Sequence, residues 1–269
     1  MTAEEKKLAE SLLCRPFPPF SGLLPEESGE DGEKIQISGV TAFLFRGSGK
    51  ERTVILNAHG GGFLKGRSIR DAVWCRYAAA HTGCDVYDLD YALTPDYCFP
   101  AAVEQLSSAA KELAGGHRII LAGHSAGANL ALSAAMFYGV RPAGILADYP
   151  PVDAAKDFFA GVPEEKLERA RVEKLYFDLY CGDADPEDPR ISVKYAARED
   201  IERLPQTLFI VGELDSLRDE VVSFAEFCDK ECRVFRDSPH GFTTNRYGAW
   251  KEALDCQMSF LCRIIGDNR

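Results

Sequence analysis

Short apolar runs alternate with longer amphipathic runs along most of this 269-residue chain. The short runs have the length of buried strands, and the runs between them have the period of helices. Strands are predicted at 34–46 (a hairpin or two short strands), 52–60, 84–91, 117–123, 143–150, 206–212 and 232–237, and helices at 68–82, 100–114, 126–138, 217–229 and 247–264. Because parallel strands need crossover connections, this alternation predicts an α/β fold with a mostly parallel central sheet and helices on both faces.

Two segments do not follow this alternation. Residues 1–33 form a short helix-like stretch followed by a Pro/Gly-rich one, and 151–200 separate two strands by far more than an ordinary connection. Connections of this length usually carry function, often as lids. We therefore expect a core over 34–150 and 201–269, with 1–33 and 151–200 forming a small helical cap over the carboxyl edge of the sheet.

Composition and charge narrow the class of protein. The chain is 46% hydrophobic and 27% charged, with 31 basic and 42 acidic residues, for a net charge of −11. This charge argues against nucleic acid or an anionic membrane as a partner, and no apolar run approaches the length of a membrane span. The charged start "MTAEEKKLAESLLC" is unlike a signal peptide, and the nine cysteines include no C-x-x-C pair. We expect free thiols and a cytoplasmic protein.

Motifs for cofactors fail when their fixed positions are checked. "GSGK" (47–50) lacks the flanking residues of a phosphate loop, and "HGGGFLKG" (59–66) does not fit G-x-G-x-x-G. The acidic run "DADPEDPRISVK" (183–194) lacks the turn glycine and the terminal glutamate of a calcium loop. The sequence therefore predicts no cofactor and no metal site.

The stretch "GHSAG" (123–127) fits the pattern G-x-S-x-G, which marks a nucleophile elbow when it joins a strand to a helix. Ser125 directly follows the predicted strand 117–123 and opens the predicted helix 126–138. Small neighbours, Gly123 and Gly127, suit the strained backbone of such an elbow. The alternative is a glycine-rich turn that only packs a strand closely against a helix.

A serine nucleophile needs a base, and the chain order in elbow enzymes is serine, acid, histidine. His240, in "DSPHGF", is the one histidine of five that follows Ser125 in the sequence. The acid is expected in "GELDSLRDE" (212–220), after the preceding strand. Asp215 lies at the crest of that loop, whereas Glu213 follows the strand at once and the last two acids belong to the next helix. Those other acids are expected to be solvated or to cap the helix.

The oxyanion of a tetrahedral intermediate needs backbone donors as well. "HGGG" (59–62) follows the strand 52–60, where glycines let N–H groups approach a developing charge closely. We assign Gly61, Gly62 and Ala126 as the oxyanion hole. The alternative is a flexible glycine loop.

Five stretches in order resemble the hormone-sensitive-lipase-like esterases of the α/β-hydrolase superfamily. They are "HGGGF" (59–63), "DYALTPDYCFPAAVEQ" (90–105), "GHSAGANLA" (123–131), "GELDSLRDE" (212–220) and "HGF" (240–242). The resemblance implies the α/β-hydrolase fold, the triad Ser125, Asp215 and His240, the same oxyanion hole, and hydrolysis of carboxylic esters with short acyl chains. Departures include His124 where the family usually has aspartate and Ser216 where proline is common.

Several functions stay open at this point. The same triad cleaves amides, so an amidase or formamidase, or a small peptidase, is the enzymatic alternative to a serine carboxylesterase acting on a small-molecule ester. A binding protein that has lost catalysis is disfavoured because all three triad residues are present. Family habit alone adds the expectation of a homodimer through the edge strand 232–237.

Overall fold

The computed structural model describes residues 3–14, 31–49 and 52–267, and within them a single sheet of eight strands. The strands are β1 (Glu33–Ile37), β2 (Val40–Phe45), β3 (Thr53–Ala58), β4 (Val86–Leu89), β5 (Arg118–His124), β6 (Gly144–Asp148), β7 (Gln206–Gly212) and β8 (Glu231–Phe235). The first two are antiparallel to their neighbours and the other six are parallel. The prediction of a mostly parallel sheet is confirmed.

The described helices include the five predicted ones, two longer ones in the segments assigned to the cap, and two short ones. They are α1 (Ala3–Cys14), α2 (Ile69–Thr82), α3 (Ala101–Ala114), α4 (Ala126–Phe137), α5 (Leu167–Cys181), α6 (Arg198–Ile201), α7 (Arg218–Phe227), α8 (Phe242–Asn245) and α9 (Trp250–Gly266). The two in the cap segments are α1 and α5, and the two short ones are α6 and α8. The sequence pattern did not predict α6 or α8, because four residues are too few to show a helical period. Across the described residues, no helix is both long and apolar enough to cross a membrane.

The strand order is β1-β2-β4-β3-β5-β6-β7-β8. Along this order, the chain steps in one direction from β3 to β4. It steps in the opposite direction from β4 to β5 and then to β6, β7 and β8. Parallel crossovers are right-handed, so α2 lies on the opposite face of the sheet from α3, α4 and α7. Connections therefore diverge between the adjacent strands β3 and β5. A crevice opens at the carboxyl ends of two such strands, which is where α/β sheets bind ligands.

The strands nearest this crevice are buried on both faces. Every residue of β3, β4 and β6 is buried, which explains why their sequences are mostly apolar and do not alternate. Helix α4 is buried from Ala126 to Met136, and its many alanines let it pack closely on the sheet. This rigid base fixes the loops that leave β3 and β5.

A smaller apolar cluster lies apart from the main core, between the chain's first helix and the long connection after β6. Ala9 and Leu12 of α1 contact Leu175 and Leu179 of α5, with Leu64 beneath them. This contact joins the two segments that the sequence assigned to a cap. The Pro/Gly-rich part of that assignment, residues 15–30, lies outside the described residues.

Candidate active site

Ser125 occupies the sharp turn between β5 and α4. Its backbone has φ 51° and ψ −116°, an unfavourable conformation for a residue with a side chain. The turn is held by the Ser125 N–H, which donates to the carbonyl of Asp148 at 2.8 Å. A Cβ at Gly123 would overlap the backbone of Gly127, and one at Gly127 would overlap the carbonyl of Ala58. The glycines on either side are therefore required by close backbone packing.

The side chains of Ser125, His240 and Asp215 form a continuous series of hydrogen bonds. Ser125 Oγ lies 3.0 Å from His240 Nε2, and His240 Nδ1 lies 2.9 Å and 3.1 Å from the two carboxylate oxygens of Asp215. An ionised carboxylate only accepts, so Nδ1 carries the hydrogen and Nε2 is left to accept from the serine hydroxyl.

The side chain of Asp215 is buried beside His240. Burial raises the pKa of Asp215, but the neighbouring imidazole of His240, the N–H of Leu217 and the charge of Arg169 outweigh it and hold the pKa below its ordinary value. A carboxylate that stays charged in this position orients the imidazole and stabilises its protonated form.

The loops that carry the acid and the histidine are bonded to each other. The N–H of Glu213 donates to the carbonyl of Phe235 at 2.8 Å, and the N–H of Leu214 donates to that of Ser238 at 3.0 Å. The ring of Tyr149 meets the His240 ring edge-on with 4.9 Å between centroids. Main-chain contacts thus hold the loop that carries His240, and an aromatic ring packs against the imidazole itself.

The glycine loop after β3 lies beside Ser125. A Cβ at Gly60 would stand 3.6 Å from the Cβ of Ser125, so the loop runs directly past the elbow. Gly61 and Gly62 have φ of 126° and 62°, conformations that favour glycine. His59 Nδ1 donates to the Gly60 carbonyl at 2.7 Å, which turns that carbonyl toward the ring.

The loop is supported from below by the segment that follows β4. Tyr91 donates its hydroxyl to the carbonyl of His59 at 2.7 Å, and the two rings stack with 4.2 Å between centroids. Thr94 N donates to the carbonyl of Phe63 at 2.9 Å. This support explains why the stretch 90–105 carries recognisable sequence although none of these contacts involves the elbow itself.

A cavity of about 460 Å³ contains Ser125, His240 and the glycine loop. One face of α5 lines it, through residues spaced by three and four positions: Arg169, Val172, Glu173, Tyr176 and Phe177. Such spacing places the five side chains on one helical face. The Tyr176 ring packs so closely on Gly62 that a Cβ there would overlap it. Sequence reasoning did not single out this face, although its spacing was visible.

The other acids of the 212–220 stretch differ in their surroundings. Asp219 is exposed and pairs with Arg218, as expected for a solvated residue. The expectation of a solvated or capping role is wrong for Glu220, because its carboxylate is mostly buried and pairs with Lys156 at 2.5 Å. Burial raises the pKa of Glu220 more than Lys156 lowers it.

Among the described residues, no cluster of three or more His, Cys, Asp or Glu side chains is arranged to hold a metal ion.

A second His–Asp contact lies directly beneath the elbow, and sequence reasoning missed it. His124 Nδ1 is 2.9 Å from Asp148 Oδ2, and the same oxygen accepts from Thr243 at 2.5 Å and from Gln257 at 3.0 Å. Trp74 donates to Gln257 at 2.7 Å. The pairing of His124 with Asp148 across β5 and β6 follows from the register of these strands. A prediction of the register would have identified it.

Comparison with known proteins adds three relatives. A hormone-sensitive lipase from a metagenome library has a structure that superposes with a TM-score of 0.79, at 25% identity, over 97% of this chain and 98% of that one. An esterase of Acinetobacter venetianus is 25% identical over 84% of this chain and 77% of its own length. Mouse hormone-sensitive lipase is 36% identical over 38% of this chain, and the matched part is only 15% of the mouse protein.

The family comparison agrees with the topology. A family model described as the alpha/beta hydrolase fold matches residues 55–244, from β3 through α8. The matched region contains the glycine loop, the elbow, the acid and the histidine. This chain therefore belongs to the α/β-hydrolase-fold family, and its fold is that of the hormone-sensitive-lipase esterases it resembled in sequence.

Proposed function

We propose that this protein is a serine carboxylesterase that hydrolyses small carboxylic esters with short acyl chains. The observation that carries the proposal is the unbroken contact from Ser125 through His240 to Asp215, at 3.0 Å and 2.9 Å. A serine hydroxyl is a weak nucleophile unless such a base accepts its proton. The esterases among its relatives support the same activity for this chain.

In the proposed reaction, His240 Nε2 takes the proton of the Ser125 hydroxyl as Oγ attacks the ester carbonyl carbon. The carbonyl oxygen becomes an oxyanion, which the backbone N–H groups of Gly61, Gly62 and Ala126 stabilise. His240 then gives the proton to the alcohol oxygen, and the C–O bond breaks to leave an acyl-serine. Water repeats the same steps with His240 as base, which releases the acid and restores the serine.

The proposed limit on acyl-chain length follows from the residues of α5 that close the cavity above the glycine loop. Helix α5 with the contacting α1 acts as the cap in this proposal, and its Tyr176 and Phe177 close the space above the glycine loop. A cavity of about 460 Å³ is at the small end of ligand pockets and also has to hold the alcohol part of the ester. We expect turnover to fall as the acyl chain lengthens.

The test is hydrolysis of p-nitrophenyl esters from acetate to decanoate, with N-formylkynurenine as an amide substrate. Ser125→Ala is expected to lower kcat on the acetate by roughly four orders of magnitude, because no other group then forms the acyl intermediate. Ser108→Ala, at an exposed position of α3, is the matched control.

A fluorophosphonate probe separates enzyme from binding protein. It should label the parent chain and not Ser125→Ala. Near-normal hydrolysis by Ser125→Ala would refute the proposal, and faster turnover of the formamide than of every ester would replace the esterase by a formamidase.

A further inference from the structure

Helix α5 is joined to the loop of the catalytic acid by a closed set of hydrogen bonds. Arg169 donates from Nε to Glu173 at 2.9 Å and from Nη2 to the Ser216 hydroxyl at 3.0 Å. Ser216 in turn donates its hydroxyl to the same Glu173 oxygen at 2.6 Å. Two residues of the helix and one of the loop therefore bind one another in a triangle.

The triangle lies next to Asp215. Arg169 Nη2 is 3.9 Å from Asp215 Oδ1, the oxygen that also accepts from the N–H of Leu217 at 3.0 Å. The Asp215 side chain is buried, and the Arg169 guanidinium meets it from the partly exposed side of the cavity. One arginine of the helix thus contacts both the side chain of the acid and the residue that follows it.

Two nitrogens of Arg169, Nε and Nη2, are directed at the protein, although the residue lines the cavity. Nε and Nη2 are engaged by Glu173 and Ser216, and Nη2 also faces Asp215. A guanidinium held in this way is fixed by its planar fork of donors. This arrangement suits a group that orients the acid.

We propose that Arg169 is a positioning residue, which holds α5 on the acid loop and keeps Asp215 charged and fixed against His240. The inference rests on the proposed serine-esterase function, since it concerns the acid of that triad. In this proposal, the position of α5 over the cavity and the orientation of the His240 imidazole depend on the same contact of Arg169.

The electrostatics agree with this geometry. The charged or titratable groups facing Asp215 are His240 from the loop after β8 and Arg169 from α5, with Glu173 behind Arg169. Both His240 and Arg169 lower the pKa of Asp215 against the effect of burial. Loss of the Arg169 charge would raise that pKa, so a larger part of Asp215 would be protonated, and inactive as an orienting carboxylate, at a given acidic pH.

The experiment compares Arg169→Met with Arg171→Met, two residues apart on the same helix. Arg171 pairs only loosely with Glu168, at 4.0 Å, and its side chain is 64% exposed against 44% for Arg169. We expect Arg169→Met to lower kcat on p-nitrophenyl acetate by about tenfold, the size of one contact to a charged group, with KM changed less than twofold. Arg171→Met should match the parent in both constants.

Two further readouts separate positioning from general damage to the fold. The acidic limb of the kcat profile should move to higher pH in Arg169→Met, and Arg169→Lys, which keeps the charge, should return it toward the parent position. Ser216→Ala should lower kcat less when added to Arg169→Met than when made alone, because both act through one set of bonds.

The proposal would be overturned by a change confined to KM, which would make Arg169 a substrate contact. An unmoved acidic limb, or equal losses in the Arg169 and Arg171 variants, would overturn it as well. The rate of fluorophosphonate labelling at Ser125 reports the nucleophile without any ester. If the parent labels but cleaves no ester, the proposed function fails, while a tenfold slower labelling of Arg169→Met would still support the positioning role.

Discussion

Two His–Asp pairs flank Ser125, and they differ in what the second ring nitrogen faces. In both, Nδ1 lies 2.9 Å from a carboxylate oxygen of a buried aspartate. The His240 side chain is 28% exposed and its Nε2 contacts the serine hydroxyl at 3.0 Å. The His124 side chain is 1% exposed, and its Nε2 is buried with no hydrogen-bond partner among the described residues.

The comparison separates the His–Asp contact itself from the surroundings of each imidazole. His124 and Asp148 stand on adjacent strands, inside the sheet, and Nε2 of His124 is buried away from the Ser125 hydroxyl's hydrogen bond to His240. His240 stands on a loop at the carboxyl edge, where its ring reaches both Ser125 and the cavity. The same chemical contact therefore supports the fold in one place and, in our proposal, catalysis in the other.

The largest expected effect is that of removing the base. His240→Ala should lower kcat on p-nitrophenyl acetate by roughly 10⁴-fold, because the serine hydroxyl then has no proton acceptor. His117→Ala, at an exposed position just before β5, should leave kcat unchanged. A loss of kcat below tenfold in His240→Ala would contradict the proposal that the His240–Asp215 pair serves catalysis while the His124–Asp148 pair supports the fold.

The buried pair should affect stability more than turnover. His124→Leu keeps most of the volume but takes one donor from Asp148, so we expect the free energy of unfolding to fall by about 2–3 kcal/mol. Urea unfolding measures this loss, and His124→Asn, which can still donate, should lose less. The folded fraction of His124→Leu should keep kcat within about tenfold of the parent. A loss of kcat as large as that of His240→Ala would contradict the comparison.

The smallest expected effect is on the free energy of unfolding at acid pH. The pKa of Asp215 in the folded chain lies below its ordinary value, so its ionisation stabilises the fold. That contribution is fully present above the unfolded value, about 3.9, and is lost as the pH falls through the lower folded value. The difference in unfolding free energy between the parent and Asp215→Asn should therefore narrow below about pH 4. Urea unfolding from pH 3 to 7 tests this, and a constant difference would refute it.

Much of the fold was predictable because it depends on local patterns. Each predicted strand and helix is present with ends within three residues of the expected ones, since apolar runs and helical periods report burial directly. The elements that were missed are short, such as α6 and α8. The division into core and cap stays a prediction.

The candidate site was predictable in part. Ser125, Asp215 and His240 followed from chain order and loop position, and the structure brings them into contact. The link from Arg169 to Ser216 joins residues 47 positions apart in sequence. No local pattern predicts it, because it depends on how α5 docks on the acid loop.

The sequence by itself determined which elements form and what the elbow requires at Gly123, because helix period, strand burial and the crowding of Gly123 on Gly127 act over a few residues. Only the tertiary structure decided that the serine hydroxyl and the predicted histidine come into contact. Ser125 and His240 are 115 positions apart, and the strand order of the sheet brings them to 3.0 Å. That strand order depends on many weak packing contacts spread over the chain, and no single sequence motif encodes it.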